Sequence, residues 1–255
     1  LLCSIAGVAA LSGCSENTES PSDSGQFKRA SVEDQQLVIT MSESLDAETV
    51  SVVDSNGEAF AETDLNAGVT RVTFDIGTGY VPGEYRILAT DGEETLAETT
   101  TVIKPDLQIV DIGVGANHQD RMPEELGNTR DVECFVKVEN RGQGPEIIEQ
   151  LHIKGEVPNP TNLAESESGI FDAEDGGGEK DRVLLLRTQQ RDIFSSSLPF
   201  SFEGSGTDCE TEPQRGLAKV SISTRVGSDL ERECEITYSA SSEYDGCNIA
   251  FETGG

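Results

Sequence analysis

The chain has 255 residues, enough for two domains of about 100 residues or one larger one. Acids outnumber bases 48 to 18, a formal charge of −30, so no basic stripe exists to displace counterions from a nucleic acid or to hold an anionic bilayer unaided. Hydrophobic residues are 35% of the chain, low for a globular protein, yet the Val- and Thr-rich runs are too regular for disorder.

The sequence opens without a Met, as LLCSIAGVAALSGC, so the start and any charged leader region are expected upstream. Leu1 to Leu11 is an apolar run of signal-peptide length, short of the ~20 residues that span a bilayer. It ends in Leu11-Ser12-Gly13-Cys14, which resembles a lipobox, the processing signal of lipoproteins. The resemblance implies a signal peptide over 1–13, cleavage before Cys14 and lipidation of its thiol. The chain would then sit outside the cytoplasm, anchored to the outer face of the cell membrane. Residues 15–33 (SENTESPSDSGQFKRASVE) carry almost no large apolar side chain, so 14–33 read as the lipidated Cys and a disordered tether.

From 34 to 104 short strands alternate with turn signals. Leu37–Met41 and Val50–Val53 are strand-like, and Ser55-Asn56-Gly57 marks a tight turn. Val72, Phe74 and Ile76 alternate with Arg71, Thr73 and Asp75, the period of a half-buried strand. Pro82-Gly83-Glu84-Tyr85 leads into Tyr85–Thr90, a turn at Asp91-Gly92 and a last strand from Leu96 to Ile103. The PGEYRILATDGEE stretch resembles the closing hairpin of immunoglobulin-like modules on prokaryotic surfaces, which implies a small sandwich here.

Lys104-Pro105-Asp106 interrupts the pattern, and a second body is expected over 105–255. Its strands are Leu107–Val114, then Val132 to Gly142 with Val132, Cys134, Val136 and Val138 on one face. This P-D-L-x-I … V-x-C-x-V-x-V-x-N-x-G order resembles the CARDB type of cell-adhesion-related β-sandwich. Ile147–Ile153, Val183–Leu186, Leu198–Phe202 and a hairpin of 217–226 with 231–240 around Gly227-Ser228-Asp229 follow. The insertion at 155–180 and the Cys-bearing tail fall outside the family pattern. The fold class expected is all-β, two tandem immunoglobulin-like sandwiches after the signal and tether. With the acidity spread through the chain, the whole resembles a surface lipoprotein of the haloarchaeal type, soluble where salt screens its self-repulsion.

Once Cys3 leaves with the signal and Cys14 takes the lipid, Cys134, Cys209, Cys234 and Cys247 remain. Four Cys permit three pairings. Cys209 and Cys247 each stand nineteen residues from Ser228, at the open end of the last hairpin, and Cys134 and Cys234 lie on strands with buried-looking neighbours. The reading adopted is Cys134–Cys234 with Cys209–Cys247. Zinc is the competing idea, but there is no C-x-x-C and neither His is near a Cys in sequence.

Chemistry-bearing motifs are scarce. His118 sits in a polar loop and His152 on a strand, with no G-x-S-x-G, H-E-x-x-H, P-loop or dinucleotide glycine pattern nearby. Ser195-Ser196-Ser197 reads as a strand edge or turn. Asp172, Glu174, Asp175 and Asp181, interleaved with glycines, are weak calcium candidates, since that cation takes six to eight oxygens from a flexible loop. Their spacing departs from the EF-hand, so no metal or other cofactor is expected.

Two functional classes follow. One is a binding, adhesion or scaffolding lipoprotein without enzymatic activity, its partner an envelope protein or extracellular ligand. The other is an envelope enzyme, or an accessory subunit of one, with a carboxylate-based site that leaves no motif. Solute capture for a transporter is a weaker third. The 155–180 insertion is the first candidate for binding, and excision of Glu165–Glu179 is expected to spare the fold.

Overall fold

Alternation of apolar and polar residues turns one face of each strand inward, and in both halves of the chain those faces meet in pairs. The computed structural model describes residues 25–131, 133–155, 169–174, 179–195, 209–240 and 247–252. In the first half, β1 (Phe27–Glu33), β2 (Gln36–Met41) and β5 (Arg71–Asp75) form one antiparallel sheet. β3 (Thr49–Val53), β4 (Ala59–Asp64), β6 (Gly83–Asp91) and β7 (Glu94–Ile103) form the other, in the order β4-β3-β6-β7. Leu37, Ile39, Met41, Val50, Val52, Phe74, Tyr85, Ile87 and Ile103 fill the space between them. The Tyr85 hydroxyl donates to the Val81 carbonyl at 2.9 Å, tying the entry of β6 back to the chain before it, as a tyrosine corner does in immunoglobulin-like sandwiches.

The second half carries β8 (Leu107–Val114), β9 (Cys134–Asn140), β10 (Glu146–Gly155), β11 (Ile170–Phe171), β12 (Glu179–Lys180) and β13 (Val183–Leu185). β14 (Gln190–Ser195), β15 (Gln214–Thr224), β16 (Leu230–Ala240) and β17 (Cys247–Phe251) complete it. The sheets run β12-β11-β14-β9-β8 and β13-β10-β15-β16-β17, and between them lie Val114, Val136, Val138, Ile148, Leu151, Ile170, Leu185, Ile193, Val220, Ile222, Ile236 and Ile249. The only helical elements among the described residues are two 3-10 turns, Gly115–Asn117 and Glu124–Thr129. The chain is thus all-β, two tandem sandwiches of immunoglobulin-like build.

One sequence expectation needs correction here. The tether read over 14–33 runs into β1: Phe27–Glu33 pairs along β2, with Val32 buried in the first core. Its polar composition hid it, because an edge strand needs apolar residues on only one face and finds its hydrogen bonds on its neighbour. The strand expected over Leu198–Phe202 lies outside the described residues, as do the segments 1–24 with the lipobox.

At the joint, hydrogen bonds fix the linker to the second sandwich and cross from the first to the second. Lys104 offers its carbonyl to the amides of Gln143 (2.9 Å) and Gly144 (3.1 Å), and Arg141 N–H donates to the Asp106 carbonyl at 2.8 Å. Asn140, the Asn of the N-x-G turn, is fully buried and uses every hydrogen-bonding capacity of its amide. Its Oδ1 accepts from Gly142 N (3.0 Å) and Asp106 N (3.2 Å), while Nδ2 donates to the carbonyls of Gly144 (2.8 Å) and Leu185 (3.3 Å). Tyr80 of the first body donates to Pro145 O of the second at 3.0 Å, and a side chain on Gly144 would collide with that hydroxyl. Val226 reaches across to pack on the first core, on a turn whose Arg225, Val226 and Gly227 amides all donate to the buried Glu146 carboxylate.

Burial, reinforced by the Glu146 carboxylate, pushes the Tyr80 hydroxyl well above the usual tyrosine pKa. The folded chain therefore holds this proton to higher pH than the unfolded chain. The associated stability is complete below about pH 10 and is lost as pH rises from there. Urea midpoints measured across that range are expected to fall more steeply for the wild type than for Tyr80→Phe. Parallel slopes would show that Tyr80 ionises freely in the fold.

Candidate functional site

The most elaborate side-chain arrangement lies on the outer face of the β12-β11-β14-β9-β8 sheet. Along β9, Cys134, Val136 and Val138 point into the core, so Phe135 points away from it. Phe135 is nonetheless fully buried, because the segment between β8 and β9 folds back over it. The Arg121 guanidinium stacks 3.7 Å above its ring, and His118 meets the ring edge-on at 5.2 Å. Arg121 is fixed there by ion pairs to Asp111 of β8 and Asp192 of β14, the latter at 2.9 Å with both carboxylate oxygens engaged. Arg130 closes the strap by donating to the carbonyls of Gln119 (2.9 Å) and Met122 (2.7 Å). Beneath it Met122, Phe171 and Phe194 continue the apolar layer. Gly113 is required at its position, since a Cβ there would strike the Phe135 ring. The arrangement seals an aromatic layer and spends its charges on one another.

Further along, Ser195 donates to the Glu133 carboxylate at 2.8 Å and accepts the Cys134 amide at 3.2 Å, with both side chains buried. Sequence reasoning missed this pair and the Arg121–Phe135 stack. Glu133 immediately precedes β9 and Ser195 ends β14, far apart in the chain, and only the β9–β14 register brings them together.

Of the calcium candidates, Asp172 and Glu174 meet at an arginine. The Asp172 carboxylate, 1% exposed, pairs with Arg191 of β14 at 2.9 Å and accepts the Glu174 amide at 3.1 Å. Glu174 lies on the same guanidinium, 3.2 Å from its Nε. Asp181 is exposed beyond β12, and Asp175 lies outside the described residues. Two of the four carboxylates thus pair with an arginine, and no metal-binding cluster of His, Cys, Asp or Glu occurs among the described residues.

Of the cysteines, Cys209 and Cys247 form a disulfide. The β16–β17 register sets Cys247 opposite Ala240, and the Ala240 amide donates to the Glu210 carbonyl, so the two Cys arrive side by side. The expected Cys134–Cys234 bond is absent: both thiols are free. They face the same core but sit on different strands at different heights. Cys134 is opposite Val114 on β9, while Cys234 lines a surface recess with Val110, Ile112 and Phe251 beside the edge strand β8. Burial, aided by the Glu133 carboxylate, holds the Cys134 thiol well above the usual range, and burial raises Cys234 despite the opposing Arg232. Neither is poised as a thiolate nucleophile.

His118 meets the Phe135 ring, and His152 lies on β10 opposite Ser221 of β15. Most of the 155–180 insertion lies outside the described residues, but its described part corrects one expectation. Ile170 and Phe171 form β11, add to the sheet beside β14 and are buried together with Asp172. Excision of Glu165–Glu179 would therefore remove core residues. Cys14 lies outside the described residues.

No protein-family model matches the chain, and no curated protein sequence does. Among solved structures it is similar to a glycosyl hydrolase family 2 member from Bacteroides cellulosilyticus, at 12% identity over 80% of this chain and 24% of that one, with a TM-score of 0.24. A beta-glucuronidase from glycoside hydrolase family 2 matches at 8% identity over 86% of this chain and 20% of that one, TM-score 0.26. A trypsin-activated alpha-2-macroglobulin from Escherichia coli matches at 13% identity, over 85% and 16%, TM-score 0.23. The chain spans a quarter or less of the length of each.

Proposed function

We propose that the chain is an extracytoplasmic lipoprotein, anchored through Cys14 to the outer face of the cell membrane, whose tandem sandwiches act as a binding, adhesion or scaffolding module. The observation that carries this reading is the joint. Domains joined by a short linker move relative to one another unless their interface is specifically fixed. Here Tyr80 bonds to Pro145 and Lys104 to Gln143 and Gly144 across the joint, Val226 packs on the first core, and Asn140 holds the start of the second sandwich at Asp106. A fixed orientation is what a scaffold contributes, because it holds the far end of the second body at a set height and angle from its anchor.

The Cys209–Cys247 disulfide supports an oxidising compartment, where such bonds persist. The lipobox-like Leu11-Ser12-Gly13-Cys14 supports the anchor, and no described helix is long and apolar enough to cross a membrane. The partner is an envelope protein or extracellular ligand, and nucleic acid is disfavoured by the charge of −30.

Fractionation of intact cells tests the reading. The wild-type chain is expected with the membrane and Cys14→Ser in the soluble fraction, since a single Cys carries the lipid. Crosslinking on intact cells should join the wild type to an envelope component. A Cys14→Ser chain retained in the membrane fraction would overturn the anchor, and a hydrolase activity that copurified with the chain would overturn the module.

A further inference from the structure

A depression of about 210 Å³ lies at the end of the second sandwich away from the joint. β8 leaves the joint at Leu107 and reaches that end at Val114, where the turn Gly115–Asn117 follows. β15 and β16 meet the joint at their Arg225–Gly227 turn, and their register carries them away from it to the pair Gln214 and Tyr238. Asn117, Pro213, Thr237, Tyr238, Ser239 and Asn248 line the depression, so β16, β17, the residue before β15 and the turn after β8 converge on it.

Its chemistry is set apart from the rest of the surface. Every residue that lines it is uncharged, in a chain where 26% of residues carry charge. It offers hydroxyls and amides instead, on residues that are exposed or half-buried and so within reach of solvent. Thr237 and Ser239 alternate along β16 with Ile236 and Tyr238, which pack on the core, so the first two stand on the outer face. Ser239 pairs across to Asn248 on β17. Among the described residues, neither the Thr237 nor the Ser239 hydroxyl is spent on a neighbour.

The frame is also held in advance. Asn117 Nδ2 donates to the Ile249 carbonyl at 2.7 Å, which fixes the amide beside β17 and leaves its Oδ1 to accept. The Cys209–Cys247 disulfide joins the segment leading to Pro213 to the strand that carries Asn248, and the Ala240 amide donates to the Glu210 carbonyl at 2.8 Å. Polar groups fixed before a ligand arrives cost little to order when it binds.

We infer that this depression binds one ring of a neutral sugar. A sugar hydroxyl donates and accepts at once, as the hydroxyls of Thr237, Tyr238 and Ser239 do, and an Asn amide offers both a donor and an acceptor to adjacent hydroxyls. A charged ligand would shed water there without meeting an opposite charge, and an apolar one would leave hydroxyls and amides unpaired. An added peptide strand is disfavoured, because Asn117 already occupies the Ile249 carbonyl on the edge of β17. The inference deepens the binding role proposed above and rests on it for the direction of display, since the end away from the joint is the one turned away from the first sandwich and its anchor.

Calorimetric titration of the full chain tests it. The probes are glucose, galactose and mannose, each beside its own uronate and 2-amino sugar as charged counterparts. Saturable binding of at least one neutral sugar is expected, with its charged counterparts weaker by about tenfold. Thr237→Val and Ser239→Ala each remove one hydroxyl and should weaken that sugar about threefold to tenfold, with thermal midpoints unchanged. In the wild type, saturating sugar should slow hydrogen exchange over 237–239 and 248–250, a readout that needs no variant. Failure of every neutral sugar to bind, charged counterparts bound as tightly, binding unaltered in both variants, or protection confined to other strands would each overturn the inference. None of these outcomes bears on the fractionation of Cys14→Ser, so the anchored-module reading stands or falls separately.

Discussion

Replacing Arg191 by Ala is expected to lower the unfolding free energy by about 3–5 kcal/mol, among the largest effects of any single substitution in the chain. Asp172 is 1% exposed and its carboxylate relies on the Arg191 guanidinium at 2.9 Å. Truncating Arg191 leaves that charge buried without its counterion. The second contact of Arg191, to Glu174, adds little, because the Glu174 side chain is 54% exposed and water screens it. A control separates the charge from the packing: Asp172→Leu with Arg191→Met removes both charges and should recover most of the loss. Urea denaturation with an unchanged m-value checks both. A loss of less than about 1 kcal/mol for Arg191→Ala would mean that Asp172 is reached by water.

Removing the disulfide is the second large expected effect. Cys209 and Cys247 are 38 residues apart, and the chain-entropy model gives about 4 kcal/mol for closing such a loop. Cys209→Ser with Cys247→Ser should lose most of that in equilibrium unfolding without reductant. The bond also pins the end of β17 beside the Glu210 main chain, so hydrogen exchange should accelerate first in β17. Non-reducing peptide maps should return the Cys209–Cys247 peptide, with Cys134 and Cys234 alkylated in denaturant. Recovery of a Cys134–Cys234 peptide would contradict the two free thiols.

Parts of the fold were legible because local chemistry and tertiary placement agree there. Pro82-Gly83 and Asp91-Gly92 bracket β6, and the residues between them alternate as the buried and exposed positions of that strand do. The same holds for β8, whose bounds match the apolar run read from sequence. β14 was missed because Gln190-Arg191-Asp192 opens it with three polar residues. Two of those belong there only because Asp172 and Arg121 lie on neighbouring segments to pair with them.

By itself, the sequence determined which residues face inward along a strand and where the chain turns, since both depend on a two-residue period and on the φ preferences of Gly, Pro, Asn and Asp. It thereby determined the all-β class, the break at Pro105 and the common face of Cys134, Val136 and Val138. What lies across from a residue was decided only by tertiary structure. Alternation gives a side of the sheet but not a height along it or a neighbour on the opposing sheet, so Cys134 and Cys234 share a core without meeting, while Cys209 and Cys247 meet. The same reason buries Phe135 on the outward face, because the strap that covers it is held by Asp111 and Asp192 from two other strands. It also sets Arg187 against Val32 and Asp34, more than 150 residues away, since the angle at which two sandwiches join is a sum of contacts that no single stretch of sequence contains.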